Sequence, residues 1–175
     1  MTPGARYAWW PLALATCSLI ALSWTTLSTS SPRLVYNASD SVPIGWYRIA
    51  PVGALAAGDL ALVHLPPAAM AFAAQRGYLP TNVPLLKTVA AVPRQNVCVR
   101  GEQVLVDGRI VARRLHRDRQ GRALPAWQAC RRLVGDELFL LNTTNPESFD
   151  SRYFGPVSAS AVIGRAQPLW LESRR

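Results

Sequence analysis

Lysine is almost missing from this chain. Of its 19 Lys and Arg residues only one, Lys87, is lysine. Histidine is nearly as scarce. A Ser–His–Asp triad would have to recruit His64 or His116, and a metal site would be short of nitrogen ligands. The three cysteines, Cys17, Cys98 and Cys130, show no C-x-x-C spacing, which speaks against a zinc or thioredoxin-like site. Cys98 and Cys130 can form one disulfide if their domain lies in an oxidising compartment. No metal or cofactor is expected. With 10 acidic residues the formal net charge is +9, a balance that suits nucleic acid, anionic lipid or an acidic partner. A hydrophobic content of 50% excludes a disordered or fibrous protein, and 175 residues allow one ordinary domain plus a terminal segment.

Charge is also absent from Trp9 to Leu27, WWPLALATCSLIALSWTTL. A bilayer-spanning helix needs about 20 such residues. Trp9, Trp10 and Trp24 lie near the two ends, where indole rings favour the headgroup level. Arg6 is the cation that precedes the run, which places the N-terminus in the cytoplasm and the remainder across the membrane. A cleaved secretory signal and a buried helix compete with the anchor; the first lacks an A-x-A site before Ser31, and the second is rarely so uniformly apolar. The expected organisation is a cytoplasmic tip and transmembrane anchor over 1–30, then an extracytoplasmic domain over 31–175.

Beyond a short polar tether (LSTSSPRLVYN), short apolar runs alternate with turn residues. DLALVHL is a strand stopped by Pro66–Pro67, AAMAFAAQRGY a helix ended by Gly77, and LLKTVAAV an apolar strand closed by Pro93. EQVLVDGRIVARR is a hairpin turning on Asp107–Gly108. ELFLLN and VSASAVIGRAQPLW supply further strands. The domain is therefore expected to be mainly antiparallel β with one modest helix.

Three stretches carry chemistry: NASDSVPIGWY (Asn37–Tyr47), PLLKTVAAVP (Pro84–Pro93) and NPESFDSRYFG (Asn145–Gly155). A serine hydroxyl becomes a nucleophile only when a base accepts its proton. Lysine serves as that base only when neutral, and burial among apolar groups lowers its pKa from about 10.4 by up to about 3–5 units. Arginine stays protonated and cannot substitute. The one lysine falls within an apolar run, although a chain with a single lysine must place it somewhere. Ser41 sits on a turn stiffened by Pro43 and given freedom by Gly45.

In combination and order, these stretches resemble the motifs of type I signal peptidases, nearest to the pilin-processing, conjugative-transfer TraF branch. General signal peptidases carry S-M-x-P, G-x-P-G-D and G-D-N-R, where this chain has S-V-P, AVPRQN and NTTNPE. The resemblance implies that Ser41 is the nucleophile, Lys87 the general base, and Asp150 directly implicated in activity. It implies an oxyanion hole made by the Ser41 N–H and the Ser39 hydroxyl, each such donor being worth about 3–4 kcal/mol. Ser148 would hydrogen-bond the lysine, and Arg152 would pair with Asp150 to organise the site. An extended substrate would add to strand edges along Gly45–Arg48 and Val83–Leu86, with Pro43, Gly45, Tyr47, Val83 and Leu85 as substrate-binding positions.

The implied function is a membrane-anchored serine endopeptidase of the bacterial inner membrane, its catalytic domain on the periplasmic side, maturing a conjugative pilin. An acyl-enzyme resolved by water gives a linear product, and one resolved by an amine a cyclic product. Two alternatives stand beside it: a broad-specificity signal peptidase I, and a non-catalytic membrane-anchored pilus assembly factor. Expected partners are a propilin or secreted-protein precursor peptide, membrane lipid and other conjugation-apparatus proteins. The basic stretch Arg109–Arg132 is read first as a solvated β-extension, then as a contact for anionic lipid or pilus partners. Nucleic acid is not expected.

Overall fold

An uncharged run of good helix formers coils at the N-terminus as α1, Trp10–Leu27. Its 18 residues, at about 1.5 Å of rise each, reach about 27 Å. Leu12, Leu14, Leu19 and Ile20 are exposed along it. Among the described residues no helix is long and apolar enough to cross a membrane. The computed structural model describes residues 9–27 and 33–172, without the side chains of 24–27; Arg6, Ser31 and the Trp24 ring lie outside what is described. Two units separate, Met1–Ser31 and Pro32–Arg175.

The second unit is antiparallel β throughout. Its strands are β1 Leu34–Asn37, β2 Gly45–Ala50, β3 Leu60–Val63, β4 Leu85–Ala91, β5 Asn96–Arg100, β6 Gln103–Val106, β7 Arg109–Arg113, β8 Cys130–Arg132, β9 Glu137–Leu141, β10 Val157–Ser158 and β11 Val162–Leu171. Two short helices, α2 Pro67–Gln75 and α3 Ser151–Phe154, complete it with a 3₁₀ turn at Ala159–Ala161. The larger sheet runs β1-β2-β11-β3-β4-β9-β10 and the smaller β7-β6-β5-β8. The hairpin expected at Asp107–Gly108 is present, both residues having positive φ (49° and 81°), which matches a type I′ turn.

A core joins the two sheets. Ala91, Phe139 and Leu141 of the larger sheet pack with Val97, Val99, Val104, Val106 and Leu133. Cys98 of β5 faces Cys130 of β8 in register, and the two are disulfide-bonded. A separate cluster seats α2 through Leu65, Ala69 and Ala73 against Leu85, Tyr78, Phe149 and Phe154.

Two expectations need correction. The tether ends as strand β1, because LVYN pairs fully with β2. That pairing puts β2 inside the sheet, between β1 and β11, so Gly45–Arg48 is no free edge. Tyr47 is fully buried, its hydroxyl donating to the Pro43 carbonyl at 2.6 Å. Gly45 lies so close to β11 that a Cβ would fall 2.2 Å from the Trp170 carbonyl oxygen.

Candidate active site

The loop between β1 and β2 carries Ser39 and Ser41, and Asn37 shapes it. The Asn37 amide donates to the carbonyls of Ser39, Val42 and Pro43 at 2.8, 2.9 and 3.2 Å. Its side-chain oxygen accepts from the Ser39 amide and the Ser39 hydroxyl at 3.2 and 2.8 Å. With the Ser39 proton committed to Asn37, the Ser41 hydroxyl donates to Ser39 Oγ, the pair lying 2.6 Å apart.

Lys87 comes from the middle of β4, where alternation turns it inward, and it is only 2% exposed. Its ammonium donates to the Ser148 hydroxyl. Burial pulls its pKa from 10.5 down to about 8; the negative charge of Asp150 opposes this and the positive charge of Arg152 assists it. At pH 7 about a tenth of such lysines are neutral, against about three in ten thousand for a solvated one.

Behind Lys87 lies a closed ion pair. Asp150 and Arg152 are 0% and 1% exposed and bond two-fold, Nε to Oδ1 at 2.7 Å and Nη2 to Oδ2 at 2.9 Å. Asp150 also caps α3 by accepting from the Arg152 amide, and it accepts from the Asn142 amide at 2.9 Å. The remaining guanidinium protons go to the carbonyls of Asn142, Arg113 and Pro146 at 2.5, 2.7 and 3.2 Å. Every group is satisfied, as a buried ion pair requires.

Ser39, Ser41, Lys87 and Ser148 line one cleft of about 390 Å³, within the range of about 300–1,000 Å³ usual for ligand sites. No histidine lines it. The cleft holds three serine hydroxyls, a base of lowered pKa and a flanking strand. The strand is β4, which pairs with β3 from Leu85 onward but with β9 only from Thr88. The Leu85–Lys87 segment therefore presents one unpaired side, and Leu85 lines the cleft. Such an arrangement can activate a serine against an acyl carbon of an extended peptide.

Residues 6–171 match the family model described as signal peptidase, peptidase S26. The chain belongs to the signal peptidase S26 family. A probable conjugal transfer protein TraF of Sinorhizobium fredii is 34% identical over 164 residues, 89% of this chain and 86% of that protein. A conjugal transfer protein TraF of Agrobacterium tumefaciens is 31% identical over 91% of this chain and 94% of its own. An Escherichia coli plasmid transfer protein TraF is 30% identical over 76% of this chain and 80% of its own. A solved signal peptidase I from Enterococcus faecalis covers 65% of this chain and 97% of its own, at 17% identity and a TM-score of 0.39.

Within this member of the family the expected site residues separate into two groups. Ser39, Ser41, Lys87, Ser148 and Leu85 line the cleft. Asp150 and Arg152 do not; they stand behind Lys87, where the Asp150 charge raises the lysine's pKa and the Arg152 charge lowers it. Pro43, Gly45, Tyr47 and Val83 also fall outside the lining, the first three because they fold and seat β2. Sequence reasoning missed Asn37 and Asn142. The Asn142 amide donates to the Asp40 carbonyl at 3.1 Å, tying the serine loop to the Asp150 loop, and its side-chain oxygen gathers the Thr144 and Asn145 amides. Both head polar turns (NASDS and NTTN), the signature of Asx-type side-chain-to-backbone bonding.

Proposed function

We propose that this chain is a serine endopeptidase in which Ser41 attacks the scissile carbonyl and Lys87 takes its proton. The single observation that carries this is a buried lysine, with a pKa of about 8, lining the same cleft as the Ser39–Ser41 hydroxyl pair. Ser41 bonds to Ser39 and Lys87 to Ser148, so proton transfer requires the Ser41 hydroxyl to turn from Ser39 toward the Lys87 amine; catalytic hydrogen bonds often tighten only once substrate is bound. The Ser41 oxygen then bonds to the carbonyl carbon. The C–N bond breaks, and the leaving amine takes the proton held on Lys87. A water, or another amine, attacks the acyl-enzyme with Lys87 again as base, and the Ser41 hydroxyl is restored. The Ser41 N–H and the Ser39 hydroxyl, once its proton turns from the Asn37 side-chain oxygen, are the donors for the oxyanion. Ser148 holds the lysine in line, and the Asp150–Arg152 pair sets the field around it.

The substrate proposed is the propilin of a conjugative pilus, a role supported by relatives that are named as conjugal or plasmid transfer proteins. We place α1, which by itself is not long and apolar enough to cross, within a membrane-inserted N-terminal segment, and the β domain on the periplasmic side of the inner membrane. An uncharged helix about 27 Å long with exposed leucines supports the first, and a Cys98–Cys130 disulfide the second.

The test is the intact mass of a candidate propilin co-expressed with wild type, Ser41→Ala or Lys87→Ala. Processing by wild type alone is expected, and a product one water lighter than the linear form marks amine resolution. Equal processing by all three proteins removes the dyad. Fractionation of wild-type cells after alkaline carbonate washing tests the anchor: release into the supernatant refutes it.

A further inference from the structure

The arginine-rich excursion between β7 and β8 was expected to be a solvated extension, but part of it is folded back onto the cleft. Its tip closes on itself through the Arg117–Ala123 bridge and the Asp118 amide, which donates to the Arg122 carbonyl at 3.0 Å. Asp118 is the fastener. Its carboxylate accepts from the amides of Gln120 and Arg122, each at 2.9 Å, and from Arg122 Nε at 2.7 Å. It also accepts from the Tyr78 hydroxyl at 2.5 Å, across to the segment after α2. Arg122 reaches back to the Arg76 carbonyl at 3.1 Å, and Arg76 to the Ala123 carbonyl at 3.3 Å. Arg76 Nη1 is buried with no hydrogen-bond partner, 3.7 Å from Asp118, whose charge offsets the missing bond. At its base the excursion is pinned to the site itself, where the Leu115 amide donates to the Tyr153 hydroxyl at 3.2 Å and Arg152 donates to the Arg113 carbonyl.

The consequence is a wall. Leu115 and Leu124 line the same cleft as Ser41 and Lys87, as do Leu79 and Leu85, and all four leucines are half-buried. A peptide of small residues alone leaves these four apolar side chains wet. We propose that the 115–124 excursion forms a substrate-recognition subsite that takes a large apolar side chain of the peptide, some positions away from the bond that is cut. Asp118 is its positioning residue. This rests on the peptidase reading for its substrate class, a peptide, but not for its geometry.

The experiment uses the full chain in detergent. Binding is read by fluorescence anisotropy on the Ser41→Ala protein, with dansylated nonapeptides of Ala and Ser that carry a single Leu at each position in turn. At one position Leu is expected to bind at least about tenfold tighter than Ala, the usual worth of filling an apolar pocket. In Leu115→Ala/Leu124→Ala, and in Asp118→Ala, that preference falls to within about twofold, while binding of the Leu-free peptide stays unchanged. Circular dichroism confirms that the variants are folded. Equal affinity for Leu and Ala peptides, no binding at all, an unchanged preference in the variants, or an equal loss for every peptide each overturns the subsite. The same peptides in quenched form, given to protein with Ser41 intact, separate the two claims. A Leu preference in binding without cleavage refutes the peptidase and keeps the subsite. Cleavage without a Leu preference does the reverse.

Discussion

Lys87 should make this protein's activity and stability depend on pH in linked ways. Raising the pH from 6 to 8 takes the neutral fraction of a lysine with a pKa of about 8 from about 1% to about half. The kcat/KM for peptide hydrolysis should therefore rise about fifty-fold over that interval, with unit slope below pH 7 and a plateau above pH 9. The drop from 10.5 to about 8 corresponds to about 3 kcal/mol of lost stability wherever the native lysine is charged. Below pH 8 both native and unfolded states carry the proton, and this cost is present in full. Between pH 8 and 10.5 the native state sheds the proton while the unfolded chain keeps it, so this group's contribution to the unfolding free energy rises with pH. Lys87→Met, which removes the buried charge without emptying the site, should be inactive yet more stable at pH 7 by up to about 3 kcal/mol. The rate is measured with a quenched peptide across pH 6–10, and stability by urea unfolding at pH 7 and pH 10. A rate midpoint near 10.5, a flat profile, or a Lys87→Met protein no more stable than wild type would refute a desolvated base.

Asp150→Asn keeps the shape of the capping group and removes the charge that raises the Lys87 pKa, so the ascending limb of the rate profile should move to lower pH; movement to higher pH refutes this electrostatic role. Arg152→Met leaves Asp150 charged, fully buried and without its partner, and should cost about 3–5 kcal/mol in urea unfolding; a loss under about 1 kcal/mol contradicts the closed pair. Reducing Cys98–Cys130, 32 residues apart, frees the end strand of the smaller sheet and should lower stability by about 2–4 kcal/mol, with amide exchange accelerating first in β8. Gly45→Ala should destabilise the domain by more than about 2 kcal/mol, since its φ of 145° and the Trp170 carbonyl 2.2 Å from a Cβ leave no room; a neutral result on thermal melting refutes the close packing.

Much of the fold was legible because its signals are local. The alternation in DLALVHL, the apolar run LLKTVAAV and the Asp107–Gly108 hairpin set strands and turns without reference to partners. Lys87 stood out for the same reason, a lone cation in an apolar strand. Strand order was not legible. Nothing in GWYRIA says that β11, more than 100 residues on, covers one side of β2, so an inner strand looked like an edge. The role of Asp118 was hidden for a similar cause. In RLHRDRQGR it looks like one acid among arginines on a solvated face, and only Tyr78, brought in from the turn after α2, makes it a fastener. Asn37 and Asn142 were readable in principle, as asparagines heading polar turns, but serine and aspartate drew attention first.

The Arg152 guanidinium grips the rest of the domain through main-chain oxygens alone, those of Arg113, Asn142 and Pro146. A backbone carbonyl is the same whatever side chain it carries. At position 113 this grip is thus blind to the side chain, whereas Arg119 joins the excursion to the same loop through the Glu147 carboxylate, side chain to side chain. A change of side chain at 113 therefore leaves the hold on the guanidinium as it was, while a change at 119 or 147 alters the joint itself.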